Sequence, residues 1–227
     1  MSWYFDTLYK IIVKPILFYQ DMPKGSWKED SLSFTLVTGW ILAFSLTLVV
    51  FINNYLPTGL SLIDGIQGQK LIIVIPVLAI MGFAFFAMTV LIVGGMVIGS
   101  LLALFFSCAA VLNFLLMLLG GKGNVFDVVK ASLYSSCVLL AGLLNIFLML
   151  VVKYKLMTFS DWINGERVIY YCACVYLYGL FSILGRKTHS VPRWKAFLAA
   201  TVPFIVLVLI NVVLSSKILP KLAGMLG

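Results

Sequence analysis

Residues Leu112–Cys137 read LNFLLMLLGGKGNVFDVVKASLYSSC, two apolar runs joined by Gly120-Gly121-Lys122-Gly123. A phosphate-binding loop of the Walker type needs the pattern G-x-x-x-x-G-K-[ST] between a strand and a helix. Here Leu116 stands where the first glycine belongs, Gly123 follows Lys122 in place of Ser or Thr, and the preceding run has the composition of an apolar helix. The stretch therefore reads as a helix–turn–helix joint. Gly120 and Gly121 are free to take the left-handed conformation that ends a helix. Lys122 complements the negative end of that helix. Asn124 caps a new helix from Val125, with Asp127 in its first turn.

Outward from the joint, the chain has too few charges to make a soluble surface. It is 63% hydrophobic and 11% charged, against roughly 45–50% and about 25% in ordinary soluble domains. The expectation is an all-α, polytopic transmembrane helical bundle. Its apolar segments fall at about 33–56, 71–93, 95–119, 128–152, 168–184 and 197–214. They belong to a bundle spanning 32–227, preceded by an N-terminal segment, 1–31. In that segment Trp3, Leu8, Ile11, Ile12 and Phe18 fall at roughly helical spacing, away from Asp6, Lys10 and Lys14. This is the pattern of an interfacial amphipathic helix, broken near Pro15. It lacks the long apolar core and cleavage site of a signal peptide, so the first span is expected to stay as an anchor.

From Leu71 to Leu119 no charge occurs. At about 1.5 Å per residue a helix of this length exceeds about 70 Å, more than twice a hydrocarbon core. A break at Gly94-Gly95 and a kink at Pro76 are therefore expected. Two spans here give six crossings; one net crossing gives five, with the other half a membrane hairpin or a steeply tilted piece. The Lys and Arg distribution is more lopsided with five. The excess then lies on the side of the N-terminus, the Gly120–Lys130 joint and the Arg186–Lys195 loop, which the positive-inside rule makes cytoplasmic.

The formal charge of +8 is spread over short connections and segment ends. Anionic headgroups account for that placement, and no separate basic face is present to carry nucleic acid. Cys108, Cys137, Cys172 and Cys174 all sit in apolar runs, and the single histidine, His189, lies far from them in sequence. They read as small buried thiols, with no metal site and no cofactor. Ser190 adjoins His189 without an orienting acid nearby, so no catalytic nucleophile is legible.

The joint resembles the hallmark of the Yip1 family of multi-pass membrane proteins, in which a hydrophobic helix ends in a Gly-Gly turn and an aromatic-containing helix start follows. Phe126 and Tyr134 match that pattern. KPILFYQDMPKGSWKEDSLSFTLV resembles the family's Pro-plus-aromatic segment before its first span. YLYGLFSILGRKTHSVPRWKAFLAATVPFIVLVLI resembles its last two spans, joined by a basic loop ending in Lys195-Ala196. Two features depart from the pattern: the long 71–119 run, where the family has one span, and Leu139-Leu140, where it has a proline. Eukaryotic relatives are linked to vesicle budding and small GTPases and carry a long cytosolic N-terminal region. This short N-terminus is similar to that of the compact prokaryotic members, so GTPase binding is not carried over. The resemblance implies a prokaryotic cytoplasmic membrane, and the Lys and Arg count puts the N-terminus inside.

Three sets of residues stand out. Gly95, Gly99, Ala103 and Ser107 recur every fourth residue and are expected to pack two helices closely. Ser132, Ser135 and Asn145 share a stripe with Gly142, and an amide near mid-span must meet a partner. The stripe is either packing glue or a polar path for a small solute or a lipid headgroup; Asn113 and Asn211 pose the same question. Lys122, Arg186, Lys187, Arg193 and Lys195 are expected to form one headgroup or partner surface. No charge sits at mid-span, which argues against proton coupling. The expected function is non-catalytic organisation of membrane or partner proteins, with anionic lipids and a second copy of the chain as partners. The alternative is an oligomeric passive channel, or a lipid or small-solute conduit, lined by neutral polar residues.

Overall fold

The computed structural model describes residues 2–23, 26, 28–64, 66, 68 and 70–217. The end of the expected bundle, 218–227, lies outside the described residues. The described chain is helical throughout, with no strand. The helices are α1 (Ser2–Val13), α2 (Pro15–Gln20), α3 (Ser31–Val50), α4 (Leu56–Asp64), α5 (Lys70–Leu118), α6 (Val125–Tyr134), α7 (Gly142–Lys153), α8 (Phe159–His189) and α9 (Arg193–Lys217). A π-helical stretch, Phe51–Tyr55, links α3 to α4, and a 3₁₀ stretch, Ser135–Ala141, links α6 to α7.

Five helical segments are long and apolar enough to cross a membrane: Ser31–Asp64, Lys70–Leu118, Val125–Val152, Ser160–His189 and Arg193–Val213. The expected apolar segments lie inside helices, apart from Leu119 in the turn, and most helices run past the expected ends. The first span continues through Asn53 and Asn54 to Asp64, because the π stretch opens the hydrogen-bond ladder just ahead of Pro57, which has no N–H to give.

The expected break at Gly94-Gly95 is absent. α5 runs unbroken from Lys70 to Leu118, with Pro76 inside it. Two glycines cost helix propensity, but in an apolar setting a broken helix leaves backbone groups with nothing to bond, and that cost is larger. The segments expected at 71–93 and 95–119 are thus one helix.

The chain forms two compact units, and they do not follow the division at residue 31. Unit 1 comprises 1–35, 102–138 and 170–227; unit 2 comprises 36–101 and 139–169. In unit 1 the N-terminal segment breaks at Lys14, ahead of Pro15, as expected. Its buried face matches the expected one only in part. Tyr4, Thr7, Ile11, Phe18 and Tyr19 are buried, whereas Trp3 and Ile12 are exposed. The segment packs on the bundle through aromatic rings and backbone carbonyls. Tyr4 stacks on Phe34 at 4.8 Å between ring centroids, and Phe18 meets Tyr134 edge-on at 5.1 Å. Tyr176 donates to the carbonyls of Ile11 and Ile12 at 2.9 and 3.1 Å.

In unit 2, Trp40 of α3 lies against Gly94 of α5, and Phe86 receives Phe44 and Phe51 edge-on. Gly94 is therefore the packing glycine of this helix. Gly95, Gly99, Ala103 and Ser107 are all exposed, and a Cβ at Gly95 or Gly99 meets nothing within 4 Å. Among the described residues the expected packing stripe thus makes no close contact at Gly95 or Gly99: α5 buries its neighbouring face, with Gly94, Leu101 and Phe105.

Candidate functional site: the glycine turn and the basic groove

The turn after α5 is built by backbone first. Gly120 N–H bonds Met117 O at 3.0 Å and Gly121 N–H bonds Leu116 O at 2.9 Å. With Gly120 at φ 87°, this is the Schellman arrangement, and it satisfies carbonyls that the helix end leaves open. Only Gly120 takes the left-handed conformation. Gly121 is glycine for want of room: a Cβ there would lie 2.8 Å from His189 Cβ and Nδ1. At Gly123 a Cβ would overlap the carbonyl of Thr188. The remaining expectation for the turn, a cap by Asn124, agrees with the structure: Asn124 Oδ1 accepts from Phe126 N–H at 3.1 Å.

The loop between α8 and α9 fits into the turn. His189 is 2% exposed, not the solvated loop residue its neighbours in sequence suggest. Its Nδ1 accepts from Gly123 N–H at 3.0 Å, and its Nε2 lies 3.1 Å from Asn113 Oδ1. Since Nδ1 is an acceptor, the ring proton sits on Nε2 and is donated to Asn113. Asn113 thereby has its partner. The His189 carbonyl also faces Lys122 N–H at 3.5 Å. Lys195 reaches back to donate to Leu119 O at 2.7 Å. The cation that answers the dipole of α5 is therefore Lys195, remote in sequence, whereas Lys122 is exposed.

Beside this joint lies a groove of about 280 Å³ lined by Ile16, Ser182, Ile183, Arg186, Lys187, Arg193 and Phe197. α8 supplies Arg186 and Lys187 from its last turn, and α9 supplies Arg193 from its first. Ile16 comes from α2. No acid is among the described residues that line the groove. Lys130, by contrast, is buried and donates to Pro23 O. Of the five expected surface cations, three line one groove, Lys195 serves the helix end, and Lys122 stands on the adjoining turn.

The expected polar stripe is not one feature. Ser132 and Ser135 belong to unit 1 and Asn145 to unit 2. Ser135 Oγ is 2.8 Å from Tyr19 OH and donates to Ala131 O at 3.1 Å. Burial pushes the Tyr19 hydroxyl far above the usual phenol range, so it stays a neutral partner. Ser132 Oγ and Asn145 Oδ1 are buried with no hydrogen-bond partner among the described residues. Cys108, Cys137 and Cys174 are buried and Cys172 is exposed, all as free thiols.

Gly123 was legible as part of the turn, but the seating of His189 against it was not. The signal was present in the Gly-Gly-Lys-Gly run, which has more glycine than one helix end needs. The surplus marks close approach of another segment.

A family model described as the Yip1 domain matches residues 9–214. No curated protein and no solved structure matches the chain. The matched range takes in the N-terminal segment from Tyr9, the glycine turn, the basic loop and most of the last helix, the parts that carry the sequence resemblance. With five membrane-length apolar helices and this match over most of its length, the chain belongs to the Yip1 domain family and is a multi-pass integral membrane protein.

Proposed function

We propose that this protein is a non-catalytic organiser of membrane lipids or partner proteins, acting from the cytoplasmic face of a prokaryotic membrane. One observation carries the reading. At one end of unit 1 the N-terminal segment, the glycine turn and the basic loop meet, and Arg186, Lys187 and Arg193 are left without an acidic or carbonyl partner among the described residues. A positive, partner-free end on a membrane protein attracts anionic headgroups or acidic proteins, at about 1 kcal/mol per Lys or Arg near the surface. Five crossings place these three segments on one side together. The placement of Ile16 beside Arg186 and of Tyr19 beside Ser135 supports that arrangement over six crossings, which would put the N-terminal segment opposite the turn.

The conduit reading has Ser132 Oγ and Asn145 Oδ1 in its favour, since both are buried without partners. Proteoliposomes of neutral lipid, loaded with a small dye, separate the two. An organiser retains the dye as well as protein-free vesicles do and captures added anionic vesicles in a salt-sensitive way. Dye release without vesicle capture would replace the organising role with a conduit.

A further inference from the structure

The groove beside the turn has the two chemistries of one amphiphile. Its rim is cationic and its wall is apolar. Arg186, Lys187 and Arg193 make none of the hydrogen bonds or ion pairs that occupy Lys130 and Lys195. Arg186 and Arg193 are exposed, so their guanidinium groups are available for bidentate contact with phosphate oxygens. Ile183 lies about one helical turn before Lys187 on α8, toward the membrane interior. Phe197 lies one turn beyond Arg193 on α9. From the other side Ile16 closes the groove, 56% exposed. Ser182, at the inner end, is committed to the Tyr178 carbonyl at 2.9 Å and adds no free donor. Position supplies the last element. Arg186 and Arg193 end and begin two membrane-length helices, which sets the cations at headgroup level and the apolar wall below them.

We propose that this groove is a discrete binding site for one anionic glycerophospholipid, with its phosphate held by Arg186, Lys187 and Arg193. The upper part of an acyl chain lies on Ile16, Ile183 and Phe197. The site deepens the organising role proposed above and rests on it. A free phosphate would use the cations but leave the apolar wall idle, and an acidic peptide would not need a wall at headgroup depth. A volume of about 280 Å³ suits a headgroup and the start of a chain, not a whole lipid. Because Ile16 belongs to the N-terminal segment, an occupied groove joins α2 to the α8–α9 loop.

Native mass spectrometry of the delipidated protein in detergent, titrated with phosphatidylglycerol or phosphatidylcholine, tests this. The wild type should take up one phosphatidylglycerol in preference to phosphatidylcholine. R186Q/R193Q should weaken that uptake at least about tenfold, from two lost surface charges. I16D, a change at an exposed position, should weaken it comparably by setting a carboxylate beside the phosphate. K122Q should change it less than about twofold, since Lys122 is outside the groove. Equal losses in K122Q and R186Q/R193Q would overturn the discrete site while leaving a diffuse basic surface and the organising role intact. Displacement by millimolar inorganic phosphate would make the ligand a free phosphate. Displacement by an acidic peptide, with no phosphatidylglycerol preference, would make it a protein. No anionic preference in any arm, together with no vesicle capture, would remove the organising role as well.

Discussion

At the scale of residues, the turn after α5 is held by glycines doing different jobs. Gly120 supplies a left-handed backbone, so G120A should cost about 1–2 kcal/mol from conformation alone. Gly123 supplies room. Because an added methyl group would overlap the Thr188 carbonyl, G123A should cost about 2 kcal/mol or more and should loosen the α8–α9 loop. His189 ties the two sides together. H189A removes the acceptor for Gly123 N–H and the partner of Asn113, a loss of about 1–3 kcal/mol. Thermal melts in one detergent rank these variants. Wild-type melting of G123A and H189A would mean that the loop does not seat in the turn. Cap and turn were legible at this scale because Gly, Asn and Asp declare their backbone preferences locally. His189 was not legible, since both of its partners, Gly123 and Asn113, lie far from it in sequence.

At the scale of elements, α5 shows where local reading fails. Gly94 and Gly95 look like a break, yet each has a separate fate. Gly94 lies under the ring of Trp40, where a Cβ would meet ring carbons at 2.5 and 2.8 Å, and Gly95 faces open space. G94V should therefore lower thermal stability by about 2 kcal/mol or more, whereas G99L should change the stability of the single chain by less than about 0.5 kcal/mol. A large loss in G99L would restore the stripe as an intrachain contact. A changed oligomeric state with unchanged chain stability would make it a contact between copies. Sequence could not separate the two faces, because an apolar helix carries no amphipathic signal when lipid and protein are equally apolar. The N-terminal helix poses the opposite problem. Its break at Pro15 was plain, but aromatic residues lie on both sides of α1: Phe34 meets both rings, yet Tyr4, stacked on it at 4.8 Å, is buried, whereas Trp3, edge-on at 6.3 Å, stays exposed.

At the scale of the whole molecule, fold class and membrane character follow from composition, and five membrane-length segments, not six, follow from one helix that does not break. In the proposed topology the N-terminal segment, the glycine turn and the basic loop share the cytoplasmic side and present their cations there. Leu156, in the connection between α7 and α8, is 79% exposed and belongs to the opposite side in this topology. Single cysteines replacing Lys122 and Leu156, each in a background without the four native cysteines, can be treated with a membrane-impermeant maleimide on intact cells. This topology should give labelling at position 156 and protection at position 122 until the membrane is permeabilised. Labelling at 122 with protection at 156 would contradict it.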